Sequence, residues 1–129
     1  MKYLLDTHVF IWIIAGETDR FSGTLIDVLE NTENSLFLST ASIWEMMIKC
    51  SINRLHFPSP AKDFLKEQMS TSGMVELPVR LEHACEIVNL QPLHKDPFDR
   101  MLIAQAKVES MQIITKDSVI PLYDVDVFW

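Results

Sequence analysis

Glycine is scarce in this chain of 129 residues, which holds only three. A phosphate-cradling loop of the G-x-x-x-x-G-K-[ST] type is therefore absent, and P-loop chemistry with it. No G-x-S-x-G elbow presents a serine, so Ser-His-Asp hydrolysis of that type is excluded. The four histidines never stand at i, i+4, which removes the helical zinc-protease site. Cysteine is equally thin. Cys50 and Cys85 lack a C-x-x-C spacing and read as buried small apolar residues, with neither a disulfide nor a zinc site expected. Basic residues are in deficit: 11 Lys and Arg against 18 Asp and Glu leave a net charge of −7, which argues against broad, non-specific nucleic-acid binding. No apolar run approaches the roughly 18 residues of a membrane span. An acid at position 6 comes too early for a signal peptide. These absences lead to the expectation of a cytosolic protein.

What is present is a hydrophobic share of 48% beside 22% charged residues, the balance of a globular chain large enough for one domain with a real core. Short apolar runs recur: Tyr3-Leu4-Leu5, Ser35-Leu36-Phe37-Leu38, Met74-Val75-Glu76-Leu77 and Gln112-Ile113-Ile114-Thr115. Each suits a buried strand. Between them lie helical segments with recognisable caps. His8 to Ala15 follows Asp6-Thr7 and stops at Gly16, Leu25 to Leu29 follows Ser22 or Thr24, and Ile43 to Cys50 follows Ser39, Thr40 and Ser42. Ala61 to Ser70 is amphipathic, and Leu81, Ala84, Cys85 and Val88 form an apolar stripe between Val79 and Asn89. A helix opens at Asp96-Pro97 and runs to Glu109 or Ser110. Asp124 to Trp129 alternates with period two, as an edge strand does. Strands alternating with helices imply a parallel sheet of four or five strands with helices on both faces.

In such sheets ligands bind outside the carboxyl ends of the strands, where strand order reverses. Asp6 follows the first strand, Glu45 sits in the first turns of the helix after the second, and Asp117 follows the fourth. Asp99 opens the helix that feeds the fourth strand, and a helix running back against the strands starts at that same edge. Four acids from four places thus fall on one edge of one sheet. Carboxylates sharing a small volume call for a divalent cation, and without one at least one of them has a raised pKa. An acidic pocket of this kind is compatible with a nuclease whose metal and local basic rim guide phosphate, and with a basic partner covering it.

Each acid also has a structural alternative. Asp96-Pro97-Phe98-Asp99 fits a helix N-terminus, with Asp96 as the cap. One cap is enough, which leaves Asp99 over for function. Ser42-Ile43-Trp44-Glu45 has the pattern of a capping box. Asp6-Thr7 can cap a helix, and Asp117-Ser118 can start a turn. His94 stands near Asp96 and can orient it, whereas His56 and His83 have no acidic partner at ligand spacing. Lys49, Lys95, Arg100 and Lys116 flank the acids, either to meet phosphate or to pair with the acids themselves. Arg100 is the best placed for a forked phosphate contact.

Four stretches carry a resemblance: Leu4-Leu5-Asp6-Thr7-His8; Ser39-Thr40-Ala41-Ser42-Ile43-Trp44-Glu45 with Lys49; His94-Lys95-Asp96-Pro97-Phe98-Asp99-Arg100-Met101-Leu102-Ile103-Ala104-Gln105-Ala106; and Ile113-Ile114-Thr115-Lys116-Asp117. In this order and spacing they resemble a PIN domain, specifically the VapC-like ribonuclease toxin of a bacterial toxin–antitoxin pair, over essentially the full length. The resemblance implies a three-layer α/β/α sandwich, RNA cleavage dependent on Mg²⁺ or Mn²⁺, a homodimer, and a small antitoxin whose tail covers the acidic pocket. It carries the catalytic role to Asp6, Glu45, Asp99 and Asp117. Asp96 is a further candidate ligand, present in a subgroup sharing His-x-Asp-Pro-Phe-Asp-Arg. Asp6 and Asp99 are expected to hold the metal directly, with Glu45 and Asp117 acting through water or on a second ion. Two other functional classes fit an acidic α/β pocket: a phospho-acceptor or phosphatase-like domain, and a non-catalytic interaction module.

Overall fold

The computed structural model describes residues 1–129, the whole chain. Five strands form one sheet: Lys2–Leu5 (β1), Ser35–Ser39 (β2), Met74–Leu77 (β3), Gln112–Ile114 (β4) and Val127–Phe128 (β5). Their order is β3-β2-β1-β4-β5, and every neighbouring pair is parallel. Six α-helices connect them: Thr7–Ile14 (α1), Gly23–Glu30 (α2), Thr40–Ser51 (α3), Ala61–Thr71 (α4), Leu81–Glu86 (α5) and Pro97–Glu109 (α6).

The unbroken apolar runs of β1 and β4 follow from burial on both faces. Tyr3 and Leu5 enter one core with Val9, Phe10, Leu25, Leu38, Met46, Leu65 and Ile114. Leu4 and Ile113 enter the other with Leu102, Ile103, Ala106 and Ile120. Helices α1 to α4 supply the first core and α6 the second, so the expected α/β/α sandwich is the observed one. The crossovers β1 to β2 and β2 to β3 step outward on one side of β1. The connection through α6 then returns to its other side, placing β4 beside β1.

Local signals set the helix ends. Asp6, Ser22 and Ser39 cap α1, α2 and α3, accepting from the N–H groups of His8 (3.3 Å), Leu25 (3.1 Å) and Ala41 (3.0 Å). Asp96 caps α6 with Pro97 at its first position. Gly16 ends α1 with φ +73°, where a side chain would be strained.

Three expectations are corrected. The stripe Leu81, Ala84, Cys85 and Val88 is not the buried face of its segment: Leu81 and Val88 are 75% and 85% exposed and Cys85 is exposed. The short α5 instead turns His83 inward, fully buried. His83 does have an acidic partner. Its Nδ1 accepts the Arg80 N–H (3.0 Å), and its Nε2–H donates to Glu109 Oε2 (3.2 Å), stapling α5 to α6. Cys50, also expected buried, is only half-buried. The alternating C-terminal segment pairs over just two residues, after which Trp129 packs edge-on against Trp12 and Phe21 at 5.9 and 5.8 Å and closes the sheet.

Replacing the fully buried His83 by alanine leaves a cavity and removes its bonds to Arg80 and Glu109, and is expected to lower unfolding stability by about 2–3 kcal/mol. Leu81→Ala, at an exposed site, is expected to stay within about 0.5 kcal/mol. Chemical denaturation checks both, and equal effects would contradict the staple.

Candidate active site

The switch in strand order falls between β1 and β4; Asp6 directly follows β1, and Asp117 stands three residues past the end of β4. The Asp6 N–H donates to Ile114 O (3.0 Å), which continues the ladder one residue past β1. The carboxylate of Asp6 is buried. Its Oδ1 accepts the His8 N–H at 3.3 Å, and its Oδ2 accepts the Thr115 hydroxyl at 2.6 Å. Thr115 Oγ1 in turn accepts the Asp117 N–H (3.0 Å), so one threonine ties two acids together. Asp117 Oδ1 accepts the N–H groups of Val119 (2.7 Å) and Ile120 (3.0 Å).

Glu45 is buried in α3. Because Ser39 caps that helix, Glu45 lies in its second turn and is no part of a capping box. Its Oε2 pairs with Lys49 Nζ at 3.5 Å, one turn on, while Oε1 is buried without a hydrogen-bond partner. Thr7 Oγ1 and Ser42 Oγ are likewise buried and unpartnered. Unsatisfied buried oxygens in a native pocket call for a ligand, an ion or water.

Asp99 occupies the first turn of α6. Asp96 Oδ1 takes the N–H groups of Phe98 (2.8 Å) and Asp99 (3.3 Å), so Asp96 is the helix cap and the Asp99 carboxylate is left free of that duty. His94 approaches Asp99 Oδ2 at 3.0 Å and Asp117 Oδ2 at 3.3 Å, both through Nε2. Its Nδ1 accepts the Asp96 N–H (3.1 Å), which puts the ring proton on Nε2. His94 therefore spans Asp99 and Asp117, where the sequence reading set it against Asp96. Ligand atoms of His94, Asp99 and Asp117 lie within 4.8 Å of one another. With its Nε2 protonated, His94 acts here as a donor that aligns two carboxylates.

The electrostatics separate the acids. Burial and the charges of Asp6, Asp96 and Glu45 push the Asp99 carboxyl up to about 7, against a partial offset from His94. This is the raised pKa expected of crowded carboxylates. At Asp6, burial acts upward but is outweighed by His8 and by the Thr115 hydroxyl, leaving its pKa below the ordinary carboxylate value. At 3.8 Å the His8 imidazole acts there as a neighbouring charge, too far for a hydrogen bond. Asp117 is also lowered: burial opposes, and the Ile120 and Val119 N–H groups and His94 prevail.

Lys49 faces Glu45 as its ion-pair partner. Lys95 and Lys116 are exposed beside Asp96 and Asp117. Arg100 has a local employment of its own: Nη1 donates to Gln91 O (2.9 Å) and Tyr123 Oη (3.2 Å), pinning the loop that carries His94. The Tyr123 hydroxyl reinforces this by accepting the N–H groups of Leu93 (3.1 Å) and His94 (2.7 Å). Sequence reasoning missed Tyr123 and Thr115 as supports of the site, because only the folded chain brings them to it.

Comparison with known proteins agrees with this architecture. The PIN domain family model matches residues 3–126, and the chain belongs to that family. Among solved structures, the chain is similar to VapBC2 from Rickettsia felis, determined bound to a DNA fragment from their promoter. The TM-score is 0.73 at 15% identity, covering 99% of this chain and 98% of that one. It is similar also to DNA-bound VapBC from Salmonella typhimurium (TM-score 0.71, 14% identity, 99% and 97% covered). VapBC-5 from Mycobacterium tuberculosis, a member of the VapBC family of toxin–antitoxin systems, gives a TM-score of 0.59 at 16% identity (98% and 97% covered). At these identities the likeness establishes the fold. No curated protein matches the chain in sequence. No helix is long and apolar enough to cross a membrane.

The raised Asp99 pKa has a defined consequence for metal-free protein. Asp99 is protonated in the folded state where the unfolded chain, with an ordinary value of 3.8, has already ionised. Its contribution to stability is therefore full below about pH 4 and is lost as pH rises toward about 7. Asp6 and Asp117 have the opposite sign, their contribution being present above the ordinary carboxylate value and lost below it. In EDTA, raising pH from about 5 to about 7.5 is expected to lower Tm more for the wild type than for Asp99→Asn, which cannot ionise. Parallel Tm-versus-pH curves for the two proteins would contradict the assignment.

Proposed function

We propose that this chain is a divalent-cation-dependent endoribonuclease and the toxin of a toxin–antitoxin pair. The observation that carries the reading is Asp99, half-buried beside the charges of Asp6, Glu45 and Asp96, with its carboxyl raised to about 7. Such a pocket is not electrostatically complete by itself. The buried, unpartnered Oε1 of Glu45 points the same way. An all-carboxylate donor set suits Mg²⁺ or Mn²⁺ over zinc, so the residues fit the ion expected from sequence. Asp6 and Asp99 would hold it directly. Glu45 and Asp117 would act through water or at a second ion, and Asp96 would add charge from the helix cap.

Bound there, the cation would supply Lewis-acid polarisation of a phosphodiester and an acidified water. The chain supplies the rest. Thr115 fixes Asp6 and Asp117 in one relative position, which serves alignment of the reacting groups. Lys49 holds Glu45 by one oxygen and leaves the other to accept. The His94 Nε2–H keeps Asp99 and Asp117 together. Lys95 and Lys116, exposed beside the acids, form the local basic rim that would meet RNA phosphates in an otherwise acidic protein, while Lys49 is held by Glu45 and Arg100 by Gln91 O and Tyr123. The net charge of −7 favours a basic antitoxin as the cognate partner, and the VapBC neighbours support the same pairing. A homodimer in a cytoplasmic setting completes the proposal.

Purified protein is expected to cut a mixed RNA pool with Mn²⁺ or Mg²⁺ and to stop in EDTA. Asp6→Asn should slow cutting by on the order of a hundredfold or more, since it removes a carboxylate from the cation site. In parallel, millimolar Mn²⁺ should raise Tm, by an amount equivalent to about 2.7 kcal/mol at a hundred times the dissociation constant. Metal binding and cutting that survive acid-to-amide changes at Asp6 and Asp99 would instead favour the interaction module. Stable aspartyl phosphate after phosphodonor treatment would favour the phospho-acceptor.

A further inference from the structure

On the flank of the acid pocket lies a groove of ≈ 750 Å³ between the starts of α3 and α6. Trp44, Val79, Phe98 and Met101 line it, together with two cations, Lys95 and Arg100. Trp44 is 64% exposed, an unusual setting for so large an apolar surface. Phe98 holds it in place edge-on, with ring centroids 5.2 Å apart and planes at 80°. Each aromatic directly precedes an acid of the pocket: Trp44 before Glu45, Phe98 before Asp99. Successive helical residues diverge by about 100°, so the groove lies beside the acids and does not overlap them.

An apolar floor, a fixed exposed indole and the exposed Lys95 bordering a carboxylate cluster match one kind of occupant. Unpaired nucleic acid offers a base to stack and a phosphate to Lys95, and the adjoining phosphodiester falls toward the acids. A second copy of this chain would also cover apolar surface, and Ile48 and Ile52 extend it along α3 at 40% and 55% exposure. It would bury Lys95 and Arg100 without an evident counter-charge in the groove.

We propose that this groove is a nucleobase subsite, in which the exposed face of Trp44, braced edge-on by Phe98, stacks an unpaired RNA base next to the scissile phosphodiester while Lys95 faces its phosphate. The inference rests on the ribonuclease reading and deepens it: the enzyme selects single-stranded RNA through this base.

The test uses the full-length Asp6→Asn protein, whose asparagine still caps α1, so that RNA is bound without being cut. Single-stranded homopolymeric 10-mers of each base are the probes. Adding Trp44→Ala should weaken binding of the preferred 10-mer about tenfold, within the range for loss of one stacked base. Trp44→Phe should restore most of that affinity. An abasic site walked along the ligand should erase the difference between parent and Trp44→Ala at one position only, and duplex RNA should show no difference. In the cleaving protein, Trp44→Ala should raise KM about tenfold and leave kcat nearly unchanged. Equal affinity with and without Trp44 overturns the subsite, as does a loss independent of abasic position. Conversion of a dimer to a monomer with affinity per protomer unchanged also overturns it, by making the groove a subunit contact. If the wild type cuts RNA and Trp44→Ala cuts with the same KM, the nuclease reading stands and the subsite falls. If the wild type neither binds nor cuts RNA, both fall.

Discussion

The bond from the Thr115 hydroxyl to Asp6 Oδ2, 2.6 Å long, joins residues 109 positions apart. It crosses from the end of β4 to the end of β1. It exists only because the chain returns through α6 to place those strands side by side. The same hydroxyl oxygen accepts the Asp117 N–H, so the separation of Asp6 and Asp117 is set by one side chain buried at the strand ends. A parallel sheet brings the carboxyl ends of its strands to one edge, and the reversal of strand order opens a crevice there. Everything else in the site is arranged around the pair that Thr115 fixes.

Crowding acids at that edge sets a second constraint. Like charges in a shared, partly buried volume must be neutralised or separated. The chain answers differently at each acid. Asp6 and Asp117 receive hydrogen bonds that stabilise their ionised forms. Glu45 has Lys49 on one oxygen and nothing on the other. Asp99 keeps its proton to about pH 7. A pocket built for structure alone would have satisfied all four. One acceptor left empty and one carboxyl held protonated are the two features on which the proposed cation site rests.

Much of this was legible in the chain. The runs Tyr3-Leu4-Leu5 and Ile113-Ile114 announce strands buried on both faces, and Asp6, Ser22, Ser39 and Asp96 announce helix starts, because these signals are local. The edge on which the four acids stand follows from βα alternation alone. Long-range partnerships were not legible. His83 meets Glu109 across 26 residues, so a helical stripe through Leu81 and Val88 looked like the better buried face. The assignment of His94 to Asp99 and Asp117 depends on which ring nitrogen the Asp96 N–H occupies, and no spacing rule reports that. Arg100 looked free for phosphate, whereas Tyr123 and Gln91 O engage its Nη1 from distant parts of the loop structure.

The contrast between Asp96 and Asp99 shows how little separates an acid spent on a helix cap from one left free of it. Both open α6, three residues apart, and either could have capped it. Asp96 Oδ1 accepts the N–H groups of Phe98 and of Asp99 itself. That leaves the Asp99 side chain with no backbone donor, while Asp117, with two, is held below the usual carboxylate range. With burial raising it first, and the charges of Asp6, Asp96 and Glu45 adding to that, Asp99 rises to about 7 with no backbone donor to offset them. The cap thus acts twice on its neighbour, by taking the helix N–H groups and by adding its own negative charge. The Asp-Pro-Phe-Asp sequence is a helix start whose first acid makes the second one available.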